Sequence, residues 1–153
     1  VPKNLAIISG GAYGIDGVAH RSTLAMQGQT VAVMAGGVDR FYPTGNADLL
    51  KRISQVGAVI SELPPGSTPT KWRFLQRNRI IAALSQATLV VEAAFRSGSL
   101  RTARDAAELL RPVMAIPGPI NAPTSEGCHR LIGERAAELV TSVSDAIELV
   151  SAL

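Results

Sequence analysis

The stretch LAIISGGAYGIDGVAHRSTLAMQGQTVAVMAGG, residues 5–37, decides the fold class. Residues 5–9 form a short apolar run that ends at a glycine pair, which is typical of a buried parallel strand. Over residues 15–27 apolar side chains recur at loose helical spacing, and Gly28 follows, as glycine often does where a helix ends. Residues 30–35 form a second apolar run that again ends at a glycine pair. The stretch therefore predicts a strand, a helix and a second strand parallel to the first.

The rest of the chain repeats this alternation, apart from a proline-rich segment over residues 64–70 that excludes regular structure. The pattern predicts an α/β fold with one doubly wound, mainly parallel sheet, helices on both faces and a single domain over residues 1–153. Such a sheet binds its ligands at the carboxyl ends of its strands. The further predicted strands cover residues 58–61, 88–93 and 112–116, and the further helices cover 48–56, 79–85, 99–110, 128–135 and 143–151.

Composition excludes several classes of protein. The 153 residues are 46% hydrophobic, which suits one domain with a sizeable core. One Cys and two His cannot build a disulfide framework or a structural zinc set. Because no apolar run reaches membrane-spanning length, we expect a cytoplasmic protein without membrane contact. The chain begins with Val1 rather than Met, which suggests an excerpt of a longer protein.

Positive charge is concentrated in one segment. Residues 71–111 hold eight basic and three acidic side chains, although the whole chain carries a net charge of only +3. Twelve of the fifteen basic residues are Arg, which favours bidentate contact with phosphate or carboxylate. A genome that prefers arginine codons would give the same excess without a ligand.

The aromatic residues also have an unusual distribution, because all six are predicted to lie in connections that follow strands. Aromatic faces beside guanidinium groups suit single-stranded nucleic acid, whose bases stack while its phosphates are bound. The alternative is that these side chains fill gaps over the edge of the sheet. The six are Tyr13, Phe41, Tyr42, Trp72, Phe74 and Phe95.

Three strand-to-helix turns, at residues 9–16, 36–39 and 96–103, are rich in glycine or serine and could contact phosphate. Residues 9–16, SGGAYGID, are small enough to let the backbone approach a ligand, but they do not follow the dinucleotide pattern and fit a packing turn equally well. Residues 96–103, RSGSLRTA, offer Ser97 or Ser99 as a helix cap or a phosphate ligand. The arginines at 101 and 104 precede acidic residues by four positions, which indicates a salt-bridged solvent face.

Catalytic groups are scarce. Glu92, at the end of a predicted strand, stands where an α/β enzyme keeps a base or a ribose ligand, yet it could equally pair with Arg77 or Arg79. His20 is better interpreted as a structural histidine than as a catalytic one. Adjacent side chains diverge on a helix, so Cys128 and His129 are not expected to bind a metal. We predict no catalytic residue, no metal and no cofactor.

Several segments, taken together and in this order, resemble the DNA-processing protein A family (DprA, also called Smf). The pair RNRIIAALS and RSGSLRTA is the most specific part of the resemblance, which spans nearly the whole chain. The segments are SGGAYGIDGVAH (9–20), TVAVMAGGVDRFYP (30–43), SELPPG (61–66), RFLQRNRIIAALS (73–85), VVEAAFRSGSLRTA (90–103), VMAIPGPI (113–120) and SEGCHRLI (125–132).

The resemblance implies a three-layer Rossmann-like domain that binds single-stranded DNA without a cofactor. It also implies protection of incoming DNA in natural transformation, loading of the RecA recombinase, and self-association, with a homodimer as the expected form. Matched by motif, the implied DNA-binding residues are Gly10, Gly11, Tyr13, Phe74, Arg77, Asn78, Arg79, Ser97, Gly98 and Ser99.

This sequence departs from the family pattern in two ways. Many members have Arg where this chain has Tyr13, so base stacking is expected to replace a phosphate contact there. The family's sheet usually opens with a further βα unit, which is expected to be missing here.

The alternative function is that of a nucleoside-monophosphate phosphoribohydrolase with Glu92 as its catalytic carboxylate.

Overall fold

The computed structural model describes residues 4–153, in which strands and helices alternate and all strand pairs are parallel. This alternation confirms the predicted Rossmann-like α/β fold. The strands are β1 Ala6–Ser9, β2 Gln29–Val33, β3 Ala58–Ile60, β4 Thr88–Val90, β5 Val113–Ala115 and β6 Glu138–Leu139. The helices are α1 Ile15–Ala25, α2 Ala47–Val56, α3 Lys71–Leu84, α4 Gly98–Glu108, α5 Glu126–Gly133 and α6 Val143–Ser151.

The chain forms two compact units that divide between Ile81 and Ala82, within α3. Each unit has its own three-stranded sheet, with strand order β1-β2-β3 in the first and β4-β5-β6 in the second. That the two units together make one domain over residues 1–153 stays a prediction.

The first unit is built around the amphipathic helix α2. Leu49 and Leu50 precede Ile53 by four and three residues, so the three side chains share one face, and they are buried in one cluster with Ala32 and Met34. The intervening Lys51 and Arg52 are exposed. This packing places α2 against the carboxyl end of β2.

The second unit has a core made largely of alanine. Ala103 and Ala106 on α4 are buried together with Val90 on β4 and Ala115 on β5. Small side chains allow helix and sheet to approach closely, and dense packing of this kind tolerates little change in volume. At the other end of the unit, a capping box of Ser142 and Asp145 starts α6.

Helix α3 begins at Lys71, eight residues earlier than the predicted start at residue 79. Thr70 starts the helix: its hydroxyl accepts a hydrogen bond from the amide of Arg73 (3.2 Å), and its carbonyl accepts one from Phe74 (3.0 Å). Trp72 and Phe74 therefore lie on a helix, which corrects the expectation that they lie in a connection. Charged and aromatic residues hide the apolar period in this part of the sequence.

A second difference is β6, which the sequence does not predict. It contains only Glu138 and Leu139, which pair with Met114 and Ala115 of β5. Two residues are too few for any periodicity to register. Over residues 4–153, none of the helices combines the length and the apolar character needed to cross a bilayer.

Candidate nucleic-acid interface

The turn after β1 carries a carboxylate bound to its own backbone. Asp16, in the first turn of α1, accepts hydrogen bonds from the amides of Gly10 (3.1 Å) and Ala12 (3.2 Å) through the same oxygen. Gly11 adopts a left-handed φ of 69°, and a Cβ there would stand 2.8 Å from Leu50. We call residues 9–16, the connection between β1 and α1, the first turn. Its amides at Gly10 and Ala12 are bound by a carboxylate of the chain itself.

Residues near the start of α2 hold the first turn from another side. The buried Asn46 donates from Nδ2 to the carbonyls of Gly11 (3.0 Å) and Ala12 (3.1 Å). The amide of Gly45 donates to the hydroxyl of Tyr13 (2.9 Å), while the Tyr13 side chain stays 65% exposed. The turn is thus fixed by packing and hydrogen bonds, and it presents an aromatic ring to solvent.

Arg77 reaches from α3 to the ends of both strands. Its Nη1 donates to the carbonyls of Gly10 (2.9 Å) and Val33 (2.6 Å), and its Nε donates to Oδ1 of Asn78 (3.2 Å). Only 7% of the residue is exposed. Burial lowers the pKa of Arg77, and the nearby charge of Asp16 opposes that shift. Arg77 thereby ties the carboxyl end of β1 to that of β2.

Two aromatic rings lie in a row beside the Arg77 guanidinium, first that of Phe74 and then that of Tyr42. The guanidinium carbon lies 5.5 Å from the ring centroid of Phe74, within the range of a cation–π interaction. The Phe74 ring lies 5.9 Å from the ring of Tyr42 at an interplanar angle of 44°. Tyr42 is 43% exposed and Phe74 is half-buried. We call Tyr42, Phe74 and Arg77 the aromatic ladder.

The other residues of the RNR motif have separate surroundings. Arg79 is exposed and forms an ion pair with Glu62 (2.5 Å). Asn78 is half-buried and accepts the bond from Arg77. The hydrogen bonds of these two arginines do not support the alternative that Glu92 pairs with one of them. Arg77 binds backbone carbonyls, and Arg79 binds Glu62.

The strand-to-helix turn at residues 96–103, hereafter the second turn, includes the first residues of α4 and is arranged differently. The hydroxyl of Ser97 accepts from the amide of Ser99 (3.2 Å), so Ser97 caps α4, one of the two predicted possibilities. Gly98, Ser99 and the preceding Arg96 are exposed. The predicted pair of Arg101 with Asp105 is present at 3.0 Å.

A second contact between an arginine and an aromatic ring lies in the second unit. The guanidinium carbon of Arg130 is 5.3 Å from the ring centroid of Phe95, which is 54% exposed. Arg130 also pairs with Glu134 at 2.8 Å. Sequence reasoning missed this pair because Arg130 lies outside the basic segment and 35 positions from Phe95.

His20, a titratable candidate from the sequence, has a structural role. His20 is fully buried, and its Nδ1 lies 2.6 Å from the Thr30 hydroxyl, which donates to the carbonyl of Ile7 (2.8 Å). Since the Thr30 proton is used, Nδ1 of His20 must be the donor. Burial lowers the pKa of His20, and Asp16 opposes that shift. The structural interpretation of His20 is confirmed.

The side chains of Cys128 and His129 point to different partners, as predicted. The Cys128 thiol donates to the carbonyl of Val90 (3.6 Å), whereas Nε2 of His129 accepts from the amide of Gly118 (3.1 Å). Among the residues that the structure describes, no three side chains of His, Cys, Asp or Glu are grouped to hold a metal ion. Glu92 is exposed, two residues beyond the end of β4.

The first unit brings the largest part of the predicted site together. Gly10 and Arg77 touch directly, Phe74 covers Arg77, and Gly11 adjoins Gly10 in the same turn. Tyr13 lies in that turn, while Asn78 and Arg79 follow Arg77 on α3. The second unit holds Ser97, Gly98 and Ser99 together at the start of α4. Sequence reasoning did not find Asp16 or Asn46, although the position of Asp16 in the first turn of a helix was a usable signal.

Similarity to known proteins covers nearly the whole chain. The family described as DNA recombination-mediator protein A matches residues 1–151. A Mycobacterium tuberculosis protein whose name includes DNA processing protein DprA is 51% identical over 148 residues, 97% of this chain and 38% of that protein. The DNA processing protein DprA of Streptococcus pneumoniae is 48% identical over 145 residues, 95% of this chain and 51% of that protein. The chain therefore spans about two fifths to one half of these relatives.

Solved structures agree with the sequence comparison. The X-ray structure of DNA processing protein A from Streptococcus pneumoniae superposes with a TM-score of 0.88 at 47% identity, over 95% of this chain and 51% of that one. A Helicobacter pylori structure, described as giving insights into the single-stranded DNA binding mode of DNA processing protein A, superposes with a TM-score of 0.86 at 31% identity. It covers 95% of this chain and 65% of that one. These matches confirm the predicted resemblance to the DprA/Smf family.

Proposed function

The chain belongs to the DNA recombination-mediator protein A family, and from that premise we propose that it binds single-stranded DNA. The observation that carries the proposal is the aromatic ladder at the carboxyl ends of β1 and β2. Ligands of α/β sheets bind at this edge, and single-stranded DNA is bound by aromatic rings that stack on its bases. The Helicobacter pylori relative, described by its single-stranded DNA binding mode, supports the same ligand class.

In the proposed complex, bases stack on the exposed rings of the first unit. Tyr13 and Tyr42 are 65% and 43% exposed, and Phe74 lies beside Tyr42. Stacking on each ring contributes about 1–3 kcal/mol and tolerates any base, because every base has a π-face. The proposal therefore predicts binding with little sequence preference.

Phosphate groups are bound by exposed donors of both units. The candidates are Arg79 on α3, Arg96 before α4 and the side chain of Ser99 at the start of α4, all of which belong to exposed residues. Each phosphate contact makes the affinity depend on salt. The full set of residues proposed to form the DNA site is Gly10, Gly11, Tyr13, Phe74, Arg77, Asn78, Arg79, Ser97, Gly98 and Ser99.

The proposed role follows that of the family. The protein protects incoming single strands in natural transformation and hands them to the RecA recombinase, as a homodimer in the cytoplasm, and no bond is made or broken. The names of the relatives, which describe DNA processing, support this role.

The proposal is tested by comparing two phenylalanines of the first unit for binding of fluorescent oligo-dT. Phe74→Leu removes a stacking ring, so we expect its affinity to fall at least about fivefold. Phe41→Leu is the matched control, because Phe41 packs against the core cluster around Leu50 and is expected to leave affinity unchanged. Equal affinity of the Phe74→Leu variant and the wild type would contradict the proposed site.

The phosphoribohydrolase alternative makes a different prediction. If Glu92 were catalytic, the chain would release free base from AMP or CMP, and Glu92→Gln would abolish the release. We expect no free base from either nucleotide, as measured by chromatography. Release that depends on Glu92 would replace the binding proposal with an enzymatic one.

A further inference from the structure

We infer that Arg77 is a positioning residue of the DNA site: it holds the Phe74 ring in place for a base and does not itself contact a phosphate. The inference rests on the proposed function and refines it, because Arg77 belongs to the set of residues proposed to form that site. It separates an arginine that builds the stacking surface from the arginines that bind the backbone of the strand.

The guanidinium of Arg77 already has acceptors within the protein. Nη1 donates to the carbonyls of Gly10 (2.9 Å) and Val33 (2.6 Å), and Nε donates to Asn78 (3.2 Å). The residue is 93% buried by surface area, since only 7% is exposed. A phosphate contact through Nη1 or Nε would require Arg77 to leave these acceptors, and the two strand-end carbonyls would then lose their donor.

Gly10 shows that the first turn is shaped around this guanidinium. The left-handed glycines of the described chain are Gly11, Gly14 and Gly66, so the backbone angle of Gly10 does not require glycine. A Cβ at Gly10 would stand 2.5 Å from Nη1 of Arg77 and 2.6 Å from its Cζ. A side chain at position 10 would therefore require the Arg77 guanidinium to move.

The charge of Arg77 is also balanced within the fold. Asp16 accepts from the amide of Gly10, and Arg77 donates to the carbonyl of the same residue. Carboxylate and guanidinium thus bind opposite polar groups of one residue. The negative charge of Asp16 near the guanidinium offsets part of the positive charge that Arg77 could offer to a strand.

The buried guanidinium of Arg77 acts on the DNA site through its contact with the Phe74 ring. The guanidinium carbon lies 5.5 Å from the Phe74 centroid, and Phe74 contacts the exposed Tyr42. Because Arg77 is fixed by two carbonyls, it supplies a rigid surface on which the Phe74 ring rests. Without it, the ring loses the support that orders it for stacking.

The test measures affinity for oligo-dT across a range of salt concentrations, for the wild type, Arg77→Met and Arg79→Met. A phosphate contact with a single strand contributes about 0.7 to the slope of log affinity against log salt. We expect Arg77→Met to weaken binding at least about fivefold with an unchanged slope. Arg79→Met, the exposed matched control, is expected to make the slope shallower by about 0.7. A slope reduced by about 0.7 in Arg77→Met would overturn the inference.

A second variant keeps the inference testable if Arg77→Met does not fold. Gly10→Ala retains the guanidinium but displaces it, and we expect it to weaken binding in the wild type and to change nothing further in a Phe74→Leu background. Equal losses in both backgrounds would show that Arg77 acts independently of Phe74. Failure of the wild type to bind oligo-dT would instead contradict the proposed function, so the two failures are distinguishable.

Discussion

The first and second turns of this chain have similar compositions, but their backbone polar groups are bound in different ways. Both follow a strand, both are rich in glycine and serine or alanine, and both precede a helix of 11 residues. In the first turn the amides of Gly10 and Ala12 are bound by Asp16, and the Gly10 carbonyl is bound by Arg77. In the second turn Ser97 caps the helix, while Gly98 and Ser99 are exposed.

This difference shows that a glycine-rich turn can serve two purposes. In the first turn the carboxylate of Asp16 binds the backbone amides, so the turn is fixed. We expect the aromatic rings beside it, rather than the turn's amides, to contact a ligand. In the second turn Arg96 and Ser99 are exposed beside the start of a helix, where an anion is favoured. Under the proposed function, we expect the first turn to support a surface for bases and the second to offer donors for phosphates.

The largest effect is expected from Asp16→Ala. Hydrogen bonds to a charged group contribute about 1.5–3 kcal/mol each, so losing two of them should lower the free energy of unfolding by about 3 kcal/mol or more. Trp72 is the only tryptophan and lies in the first unit, so its fluorescence during urea unfolding reports on that unit. Asp48→Ala, on the exposed start of α2, is the control and is expected to change stability by less than about 0.5 kcal/mol. A small effect of Asp16→Ala would mean that the first turn does not depend on its carboxylate.

A change of pH gives the second test. Because burial lowers the pKa of His20 in the folded state, the unfolded chain binds the proton more readily as the pH falls below the ordinary value of 6.5. The first unit should therefore lose stability on acidification through this range and regain it at higher pH. His20→Gln should flatten the dependence, as followed by Trp72 fluorescence. A wild-type stability that does not change between neutral and mildly acidic pH would contradict a neutral, buried His20.

The smallest effect is expected from Ser97→Ala in the second turn. Loss of an N-cap side chain costs about 1 kcal/mol, and only one amide, that of Ser99, loses its partner. Far-UV circular dichroism during urea unfolding measures this change. An effect as large as that of Asp16→Ala would remove the contrast between the two turns.

The sequence predicts the alternation of elements well because apolar runs and glycine pairs are local signals. Residues 15–27 and 99–110 were predicted as helices, and α1 and α4 cover most of each range. The start of α3 was missed, since Lys71 to Arg79 alternate charged, aromatic and polar residues without an apolar period. Its signal was Thr70, a helix-capping residue that follows the proline-rich segment.

The candidate site was predictable in its members and not in their contacts. Gly10 and Arg77 were both named as DNA-binding residues, but they are 67 positions apart, and only the fold shows that one leaves room for the other. Asp16 entered the prediction only as the last residue of the turn SGGAYGID. No local pattern shows that its carboxylate turns back onto the turn that precedes it.

The central claim is that this chain binds single-stranded DNA through a stacking surface and phosphate contacts. Fluorescence anisotropy of labelled oligo-dT at two salt concentrations, with a duplex of the same length as the control, tests it most directly. We predict tighter binding to the single strand than to the duplex and weaker binding at higher salt. Absence of binding by a folded chain, or equal affinity for strand and duplex, would contradict the claim.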